Sequence, residues 1–475
     1  MLLGFILREM KNKILSAFLI VFLLADLSYS FLQHYSMPID GDLAGGIVPA
    51  AEVNQILEDP FAFKVILNDE KYPNPNRYFI HAPLKAYFQN VPFLFQKISS
   101  PLESIYLSAA LFKIFVQAGF VFMLSAFVAG TFKVLKTSFL IPAAIFSCLL
   151  QTNGFQPYIG IIDKSITYTF FYAFPLLFLL FFLYPILKNS SFHHKKEIKI
   201  FQMIFSSFLA IALPFSGALI PGLLIIFGIV YYAFEWKSSK NDLKTFQLKM
   251  LFISCALSAY SLYVGLNNTI FQYEETPSFL ERYSRIPAGL WSVFADKFVA
   301  SIFLLITIAN MFILLRFKED IGSKKVFKSI KLIGIFSLIY LLLLPLGGYK
   351  NYRENIVRYD TFMPVILCLF YLYILSSIVI TQRLKNNAKY AYFSAIFAVA
   401  AVYQMSDTPN FHDNDCEKRA INEIANSKEK NIVIHDNCGV MSWKRFSDSQ
   451  ESKLNCELLF YWGVIDDQKK RYTFQ

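Results

Sequence analysis

Two carboxylates separated by one glycine follow the first apolar segment of the chain, as Asp40, Gly41 and Asp42. A carboxylate that is close to a membrane surface and enclosed by protein can take a proton from an acceptor hydroxyl. It can also hold a divalent cation such as Mg²⁺ or Mn²⁺ beside a phosphate. Asp and Gly are common in turns as well, so a solvated loop is the alternative interpretation. The triplet makes Asp40 and Asp42 the candidate catalytic residues and the candidate metal ligands.

A second group of polar residues, Arg358 and Tyr359, precedes a late apolar segment, and Arg353 lies shortly before them. A guanidinium can bind a phosphate through two parallel hydrogen bonds, which suits a phospholipid-type substrate. Arg and Tyr also favour the depth of the membrane interface, so simple anchoring is the alternative. We treat Arg353, Arg358 and Tyr359 as candidate substrate-binding residues.

Two further residues are candidates because of their setting. His81 lies near Arg77 and Tyr78, where it could bind a phosphate or orient a carboxylate, although a single loop histidine is commonly just exposed. Lys113 falls inside the second apolar run, where a charge is costly unless it snorkels to the interface or faces a polar cavity. Histidine and cysteine spacings typical of zinc sites are absent, as are a phosphate-binding glycine loop and a nucleophile elbow.

The composition indicates what must position these residues. Of 475 residues, 55% are hydrophobic and 51 are Phe, and the apolar residues recur in runs of about 20, the length of a transmembrane helix. The net charge is +11, but the basic residues cluster in short connectors such as Lys195–Lys196 and Lys324–Lys325. This is the pattern of cytoplasmic loops facing anionic lipid, so we expect membrane lipids and not nucleic acid as partners.

The apolar runs predict eleven spans. They cover residues 13–34, 106–131, 137–154, 166–187, 200–214, 216–235, 249–267, 297–317, 329–348, 361–381 and 389–404. The break at Leu213–Gly217 leaves two interpretations, a pair of short helices or one long kinked helix, and the basic connectors on both sides favour the pair. Apart from Lys113, the predicted spans are almost free of charge.

The predicted topology has the N-terminus inside and the C-terminus outside, in what we expect to be a bacterial cytoplasmic membrane. The fold class is an all-α polytopic membrane module over residues 1–404, followed by a small α/β-like extracytoplasmic segment over 405–475. The outward loop 35–105 carries the site, and residues 50–57 and 84–98 are expected to form short amphipathic helices on the membrane surface. One disulfide among Cys416, Cys438 and Cys456 is possible in an outward segment.

Taken together, these features resemble the GT-C superfamily of integral membrane glycosyltransferases. The resemblance rests on the outward loop opening with Asp40, the segment His81-Ala82-Pro83-Leu84, Lys113, and Arg358-Tyr359 with Pro364 entering a late span. It implies an inverting transfer of a sugar from a polyprenyl-phosphate donor to an extracytoplasmic acceptor, such as a glycan, a lipid or another envelope component. It further implies that Asp40 or Asp42 serves as base or helps to hold a metal, and that Arg358 engages the donor phosphate.

Two other function classes remain open at this stage. A lipid or polysaccharide transporter or flippase predicts charged residues within several spans. A polymerase or ligase that joins lipid-linked glycans shares the outward arginines and the lipid-phosphate substrate, but typically has its large outward loop late in the chain.

Overall fold

The structure is a computed structural model that describes residues 2–150, 162–188, 196–217, 219–235, 242–271, 277–295, 298–347 and 354–475. Helices dominate every part of it. The longer ones are α1 (Leu2–Tyr35), α5 (Tyr78–Phe95), α6 (Pro101–Ala129), α7 (Thr137–Leu149), α9 (Phe174–Lys188), α10 (Lys196–Ala212), α11 (Ile220–Glu235), α12 (Asp242–Gly265), α14 (Ile286–Ala295), α15 (Phe298–Leu315), α16 (Ile321–Leu343), α17 (Tyr359–Arg383), α18 (Asn386–Ser406) and α19 (Asp415–Asn426). The shorter ones are α2 (Leu43–Ile47), α3 (Ala51–Glu58), α4 (Phe63–Leu67), α8 (Ile166–Tyr168), α13 (Phe279–Ser284) and α20 (Lys453–Tyr461).

Several helices are long and apolar enough to cross a membrane. Within the described ranges there are six, namely Asn12–Tyr35, Pro101–Ala129, Ile166–Leu187, Phe246–Gly265, Ile321–Leu346 and Asp360–Arg383, or up to seven if a bent helix pair is one span. They indicate a polytopic membrane protein, as predicted. The span Ile166–Leu187 joins α8 to α9 through a single π-helical turn, Thr169–Ala173.

The predicted number of eleven spans is not confirmed. The apolar helix at Thr137–Leu149 has 13 residues, about 20 Å of helix, which is shorter than a bilayer core of about 30 Å. Helix α15 is apolar over its whole length, Phe298–Leu315, and its part Phe303–Leu315, over which every side chain is described, is shorter than a span. Helix α18 forms over Asn386–Ser406, but it is not among the helices that are apolar enough to span. Apolar composition thus located these helices, and their apolar length separates α7 from the six candidate spans of the described ranges.

The break near Pro214 separates two helices. The segments Ile200–Phe215 and Ile220–Phe234 meet at an angle of 120°, so the pair of short helices is favoured over one kinked helix. A 3-10 turn at Leu213–Phe215 contains the proline, which cannot donate the hydrogen bond that would continue the helix.

The spans hold more charge than the sequence analysis recognised, because Asp26 is buried within α1. Its Oδ1 accepts a hydrogen bond of 2.8 Å from Gln404, and its Oδ2 accepts one from Ser147. The carboxylate therefore ties α1 to α7 and α18. Polar contacts of this kind hold helices together where no water is present.

The loop after α1 contains the helices that the amphipathic patterns predict, at slightly shifted positions: α3 covers Ala51–Glu58 and α5 covers Tyr78–Phe95. Helix α5 is packed into the protein as well as being amphipathic, since Leu84 and Phe88 are fully buried against α2 and α6. The loop is thus a folded part of the membrane module.

The C-terminal segment, residues 407–475, combines α19 and α20 with two short strands. Strands β1 (Asn431–Ile434) and β2 (Arg471–Phe474) pair in parallel, so the segment has the mixed helix and strand content predicted for residues 405–475. A disulfide joins Cys416 to Cys438, while Cys456 is buried as a free thiol. Of the pairings left open among the three cysteines, the structure contains Cys416–Cys438.

Candidate functional site

Asp40 is buried directly after the first helix and held by backbone groups. Its Oδ1 accepts the N–H of Asp42 at 3.1 Å, and its Oδ2 accepts the N–H of Thr167 at 2.9 Å. Thr167 lies in the first turn of the span Ile166–Leu187, where free backbone N–H groups favour a carboxylate. The contact fastens the first loop to this span and leaves Asp40 only 5% exposed.

Asp163 is a second buried carboxylate, in the turn before the same span. Its Oδ1 accepts the N–H of Ser165 at 2.6 Å, and its buried Oδ2 has no hydrogen-bond partner among the described residues. Burial raises the pKa of Asp163 well above its usual range, and the charges of Asp360 and Asp40 raise it further, against the opposing effect of the Ser165 N–H and of Lys113. Such a carboxyl can keep its proton near neutral pH and exchange it with a substrate.

Asp163 is not among the site residues predicted from the sequence. A usable signal was present, since it is a lone acid directly before an apolar span and lies in a loop predicted on the same face as Asp40.

Lys113 reaches from the middle of α6 toward these carboxylates. The residue is 1% exposed, so the snorkelling alternative is wrong. Its Nζ donates to the carbonyl of Lys164 and lies 3.2 Å from the Sδ of Met37, and its charge interacts with those of Asp163 and Asp40. Burial of this cation is offset by the acids around it.

Arg358 and Asp360 complete the group at the start of α17. Nε of Arg358 lies 2.8 Å from Oδ1 of Asp360, and the two side chains are 19% and 1% exposed. Despite this ion pair, neither Nε nor Nη1 of Arg358 makes a well-aligned hydrogen bond within the described part of the chain. Asp360 interacts electrostatically with Asp163. We call Asp40, Lys113, Asp163, Arg358 and Asp360 the charged cluster.

The remaining predicted site residues fall outside this cluster or cannot be placed. Asp42 is exposed, and the contact it makes with Asp40 uses its backbone N–H. Arg353 lies outside the described residues. Tyr359 begins α17, and its side chain also lies outside the described part.

His81 is buried in the first turn of α5 and not exposed in a loop. Its ring packs against Phe171 of the π-helical turn, with centroids 4.9 Å apart. Burial, assisted by the charge of Arg77, lowers the pKa of His81 to about 3, so the ring is neutral at physiological pH. Neither ring nitrogen has a hydrogen-bond partner among the described residues. The contact with Phe171 is that of a packed aromatic ring, and within the described ranges no hydrogen bond joins His81 to the charged cluster.

The C-terminal segment covers the loop that carries Asp40, which the sequence analysis did not anticipate. Glu417 of α19 accepts hydrogen bonds from the N–H of Ile39 at 2.9 Å, the N–H of Met441 at 2.7 Å and the hydroxyl of Tyr106 at 2.9 Å. Burial raises the pKa of Glu417 to about 7 in spite of these bonds, and the charge of Asp40 adds to the rise.

The same cover explains the glycine between the two acids. A Cβ at position 41 would lie 2.8 Å from both the backbone nitrogen and the Cδ1 of Trp443. The ring of Trp443 in turn stacks on Tyr168 at 5.6 Å, next to the residue that donates to Asp40. Gly41 thus permits the close approach of the C-terminal segment.

A divalent cation does not fit the donors that are present. The charge of Lys113 already interacts with those of Asp163 and Asp40, so these acids have a cationic partner in the protein itself. Within the described ranges, no group of three or more His, Cys, Asp or Glu side chains is arranged to hold a metal ion. We derive no step through a metal.

The arrangement as a whole brings together a buried carboxylate, a carboxyl group whose pKa is raised by burial, and a guanidinium from three separate parts of the chain. These groups suit the transfer of a proton beside an anionic leaving group. Comparison of the chain with models of known protein families and with curated proteins finds no match.

Proposed function

We propose that this protein is a membrane glycosyltransferase of the GT-C type, which transfers a sugar from a polyprenyl-phosphate donor to an extracytoplasmic acceptor. The observation that carries the proposal is the charged cluster, in which Arg358 retains donors without a well-aligned hydrogen bond beside buried carboxylates. Unsatisfied buried polar atoms are rare in folded proteins, and a catalytic role or a bound ion is one recognised explanation for them. An anionic phosphate would satisfy the guanidinium.

The proposed reaction is a single displacement. Asp40 takes the proton of the acceptor hydroxyl, whose oxygen attacks the anomeric carbon as the bond to the phosphate oxygen breaks. The phosphate leaves with the electron pair, and Arg358 neutralises its charge. One displacement inverts the configuration at that carbon. Asp163 and Lys113 hold the site together and set the charge around Asp40.

The choice of Asp40 over Asp42 follows from their surroundings. Asp40 is enclosed and interacts with Lys113 and Asp163, whereas Asp42 is exposed to solvent. An enclosed base acts where water is excluded, so its charge counts for more.

The test is sugar transfer by the purified protein in proteoliposomes, with a panel of polyprenyl-phosphate hexoses and N-acetylhexosamines labelled in the sugar. The acceptors are extracted envelope glycans and lipids. Loss of a general base typically costs about 10²- to 10⁴-fold, so Asp40→Asn should lower transfer at least about 100-fold. The matched control Asp42→Asn should stay within about threefold, because a solvated acid contributes little. Full transfer by Asp40→Asn would refute the assignment.

Arg358 is tested through donor binding. Arg358→Gln should raise the KM for the donor, and Arg358→Lys should restore only part of it, because an ammonium cannot bind a phosphate through a two-pronged contact. Equal KM values for Arg358→Gln and the unmodified protein would refute the proposal that Arg358 binds the donor phosphate.

A transporter or flippase is the second candidate, since Asp26 adds to Lys113 as a buried charge within the spans. Both oxygens of Asp26 are hydrogen-bonded to neighbouring helices, which is typical of helix packing and not of a translocation path. Movement of a fluorescent lipid-linked sugar between the leaflets of proteoliposomes, without any sugar transfer, would favour this alternative.

A further inference from the structure

A mostly apolar cavity lies between five helices, away from the charged cluster. It has a volume of about 480 Å³ and is lined by residues of α6, α9, α11, α16 and α17. The size falls within the range of ligand-binding cavities, roughly 300 to 1,000 Å³. Aliphatic and aromatic side chains form nearly all of its wall, and the exceptions include Lys325, Lys328 and Ser329 of α16.

The two lysines mark the end of the cavity that is remote from the charged cluster. Near the cluster, Tyr340 of α16 donates a hydrogen bond of 2.6 Å to the carbonyl of Thr361. Lys325 precedes Tyr340 on the same helix by a distance of about 22 Å at 1.5 Å per residue. Since α16 belongs to a candidate span, the lysines lie near the opposite membrane face from Arg358.

The lining selects an amphiphile. An apolar cavity does not hold water well and favours a hydrocarbon occupant. Cations at one end favour a negatively charged head group, and basic pockets between spanning helices are known to bind anionic lipid heads. A nucleotide or a sugar lacks hydrogen-bond partners along most of this wall.

The exposed apolar surface around the cavity indicates that its ligand comes from the bilayer. Ile229 on α11 and Leu338 on α16 are 60% and 58% exposed, so both helices that border the cavity face lipid. The cavity itself is only partly enclosed, which leaves a path for a chain to enter.

We propose that this cavity binds one anionic phospholipid of the surrounding bilayer, with an acyl chain between the helices and its phosphate at Lys325 and Lys328. The site is independent of the proposed sugar transfer, because it needs neither Asp40 nor Arg358.

Helix α16 supplies matched controls within a single turn of these lysines. Lys324 forms an ion pair of 3.1 Å with Glu319, and Lys331 lies over the ring of Phe234 at 5.1 Å. Neither lines the cavity. A double variant at these positions removes the same charge from the same helix.

The experiment is native mass spectrometry of the purified protein after reconstitution with phosphatidylglycerol, with phosphatidylcholine as the uncharged comparison. Lys325→Gln/Lys328→Gln should lower retained phosphatidylglycerol about tenfold or more, while Lys324→Gln/Lys331→Gln leaves it unchanged. Leu332→Trp, which fills the cavity, should lower retention of phosphatidylglycerol with all four lysines in place. Each of the variants should keep an unchanged melting profile.

Two results would overturn the proposal. Equal losses in the two lysine double variants would mean that only the overall charge of α16 matters. A loss caused by Arg358→Gln and not by Lys325→Gln/Lys328→Gln would place the phosphate at the opposite end of the cavity. In that case the chain in the cavity would belong to a lipid bound at the charged cluster.

Discussion

Replacing Glu417 by Gln is expected to abolish a specific pH dependence in the docking of the C-terminal segment. Glu417 is buried and receives three hydrogen bonds, from the N–H of Ile39, the N–H of Met441 and the hydroxyl of Tyr106. In the undocked segment the same carboxyl faces water and titrates normally. Docking and proton binding are therefore linked.

The sign and size of the effect follow from the pKa. The docked pKa of Glu417 is about 7, raised from 4.5 by burial, so docking is most favourable below pH 4.5 and weakens as the pH rises through 7. At 1.36 kcal/mol per pKa unit, docking loses about 2.5 kcal/mol between pH 5 and pH 8, roughly a 70-fold change in the opening equilibrium. Glutamine does not titrate, so the variant should lack this change. At pH 5 the variant should also dock less favourably by about 1–3 kcal/mol, because its amide NH₂ faces a backbone N–H that the carboxylate had accepted, and this deficit should shrink by about 2.5 kcal/mol at pH 8.

Hydrogen exchange of peptides that contain Ile39 and Met441 measures the opening directly. Rates at pH 5 and pH 8, corrected for the intrinsic effect of pH on exchange, should show protection falling in the unmodified protein and staying level in Glu417→Gln. Glu423→Gln is the control, since Glu423 is an exposed acid on the same helix. If Glu417→Gln keeps the full pH dependence, another group controls docking and the reasoning fails.

Three further outcomes follow from the same structure. Gly41→Ala should lower the free energy of unfolding by about 1–3 kcal/mol, because the new Cβ would overlap Trp443. Gly45→Ala places its Cβ in open space and should be nearly neutral, so equal melting temperatures of the two variants would contradict the close contact. Removing the disulfide with Cys416→Ser/Cys438→Ser should destabilise the C-terminal segment by about 3 kcal/mol, because the unfolded segment regains the entropy that a cross-link across 22 residues removes. The rate of proteolysis of that segment is the measurement. His81→Phe should change the free energy of unfolding by less than about 1.5 kcal/mol and leave its dependence on pH between 5 and 8 unaltered. The buried ring is already neutral and makes no hydrogen bond within the described residues, and thermal melts across that pH range are the measurement.

Local patterns in the sequence were sufficient for much of the fold. Apolar runs located the helices of the spans, and the amphipathic patterns located α3 to within one residue, whereas α5 begins six residues earlier than predicted. Whether a helix crosses a membrane depends on its uninterrupted apolar length, and short or mixed helices such as α7 and α18 fall below that limit.

The candidate site was predictable only in part. Asp40 was selected because a carboxylate close to a membrane exit can act as a base, and Arg358 because a guanidinium there can bind a phosphate, and both belong to the charged cluster. Asp163 was missed because a single acid in a short loop has no pattern of its own. Its burial depends on the packing of α6 against the span Ile166–Leu187, which no local feature encodes.

Contacts between distant parts of the chain were beyond prediction. Nothing near Glu417 in the sequence indicates that it binds Ile39, and nothing near Trp443 indicates that it packs on Gly41. Such pairings are decided by the tertiary fold as a whole.

The pairing of Glu417 with Ile39, across 378 positions, has a consequence for biosynthesis. While the later helices are still being synthesised, the turn that bears Asp40 is not yet covered by the C-terminal segment. The N–H of Ile39 then lacks its acceptor, because Glu417 has not been translated. The C-terminal segment therefore docks on this turn only late in synthesis. A nascent chain that stops before α19 would contain all the membrane helices but would lack the cover over the proposed catalytic residue Asp40.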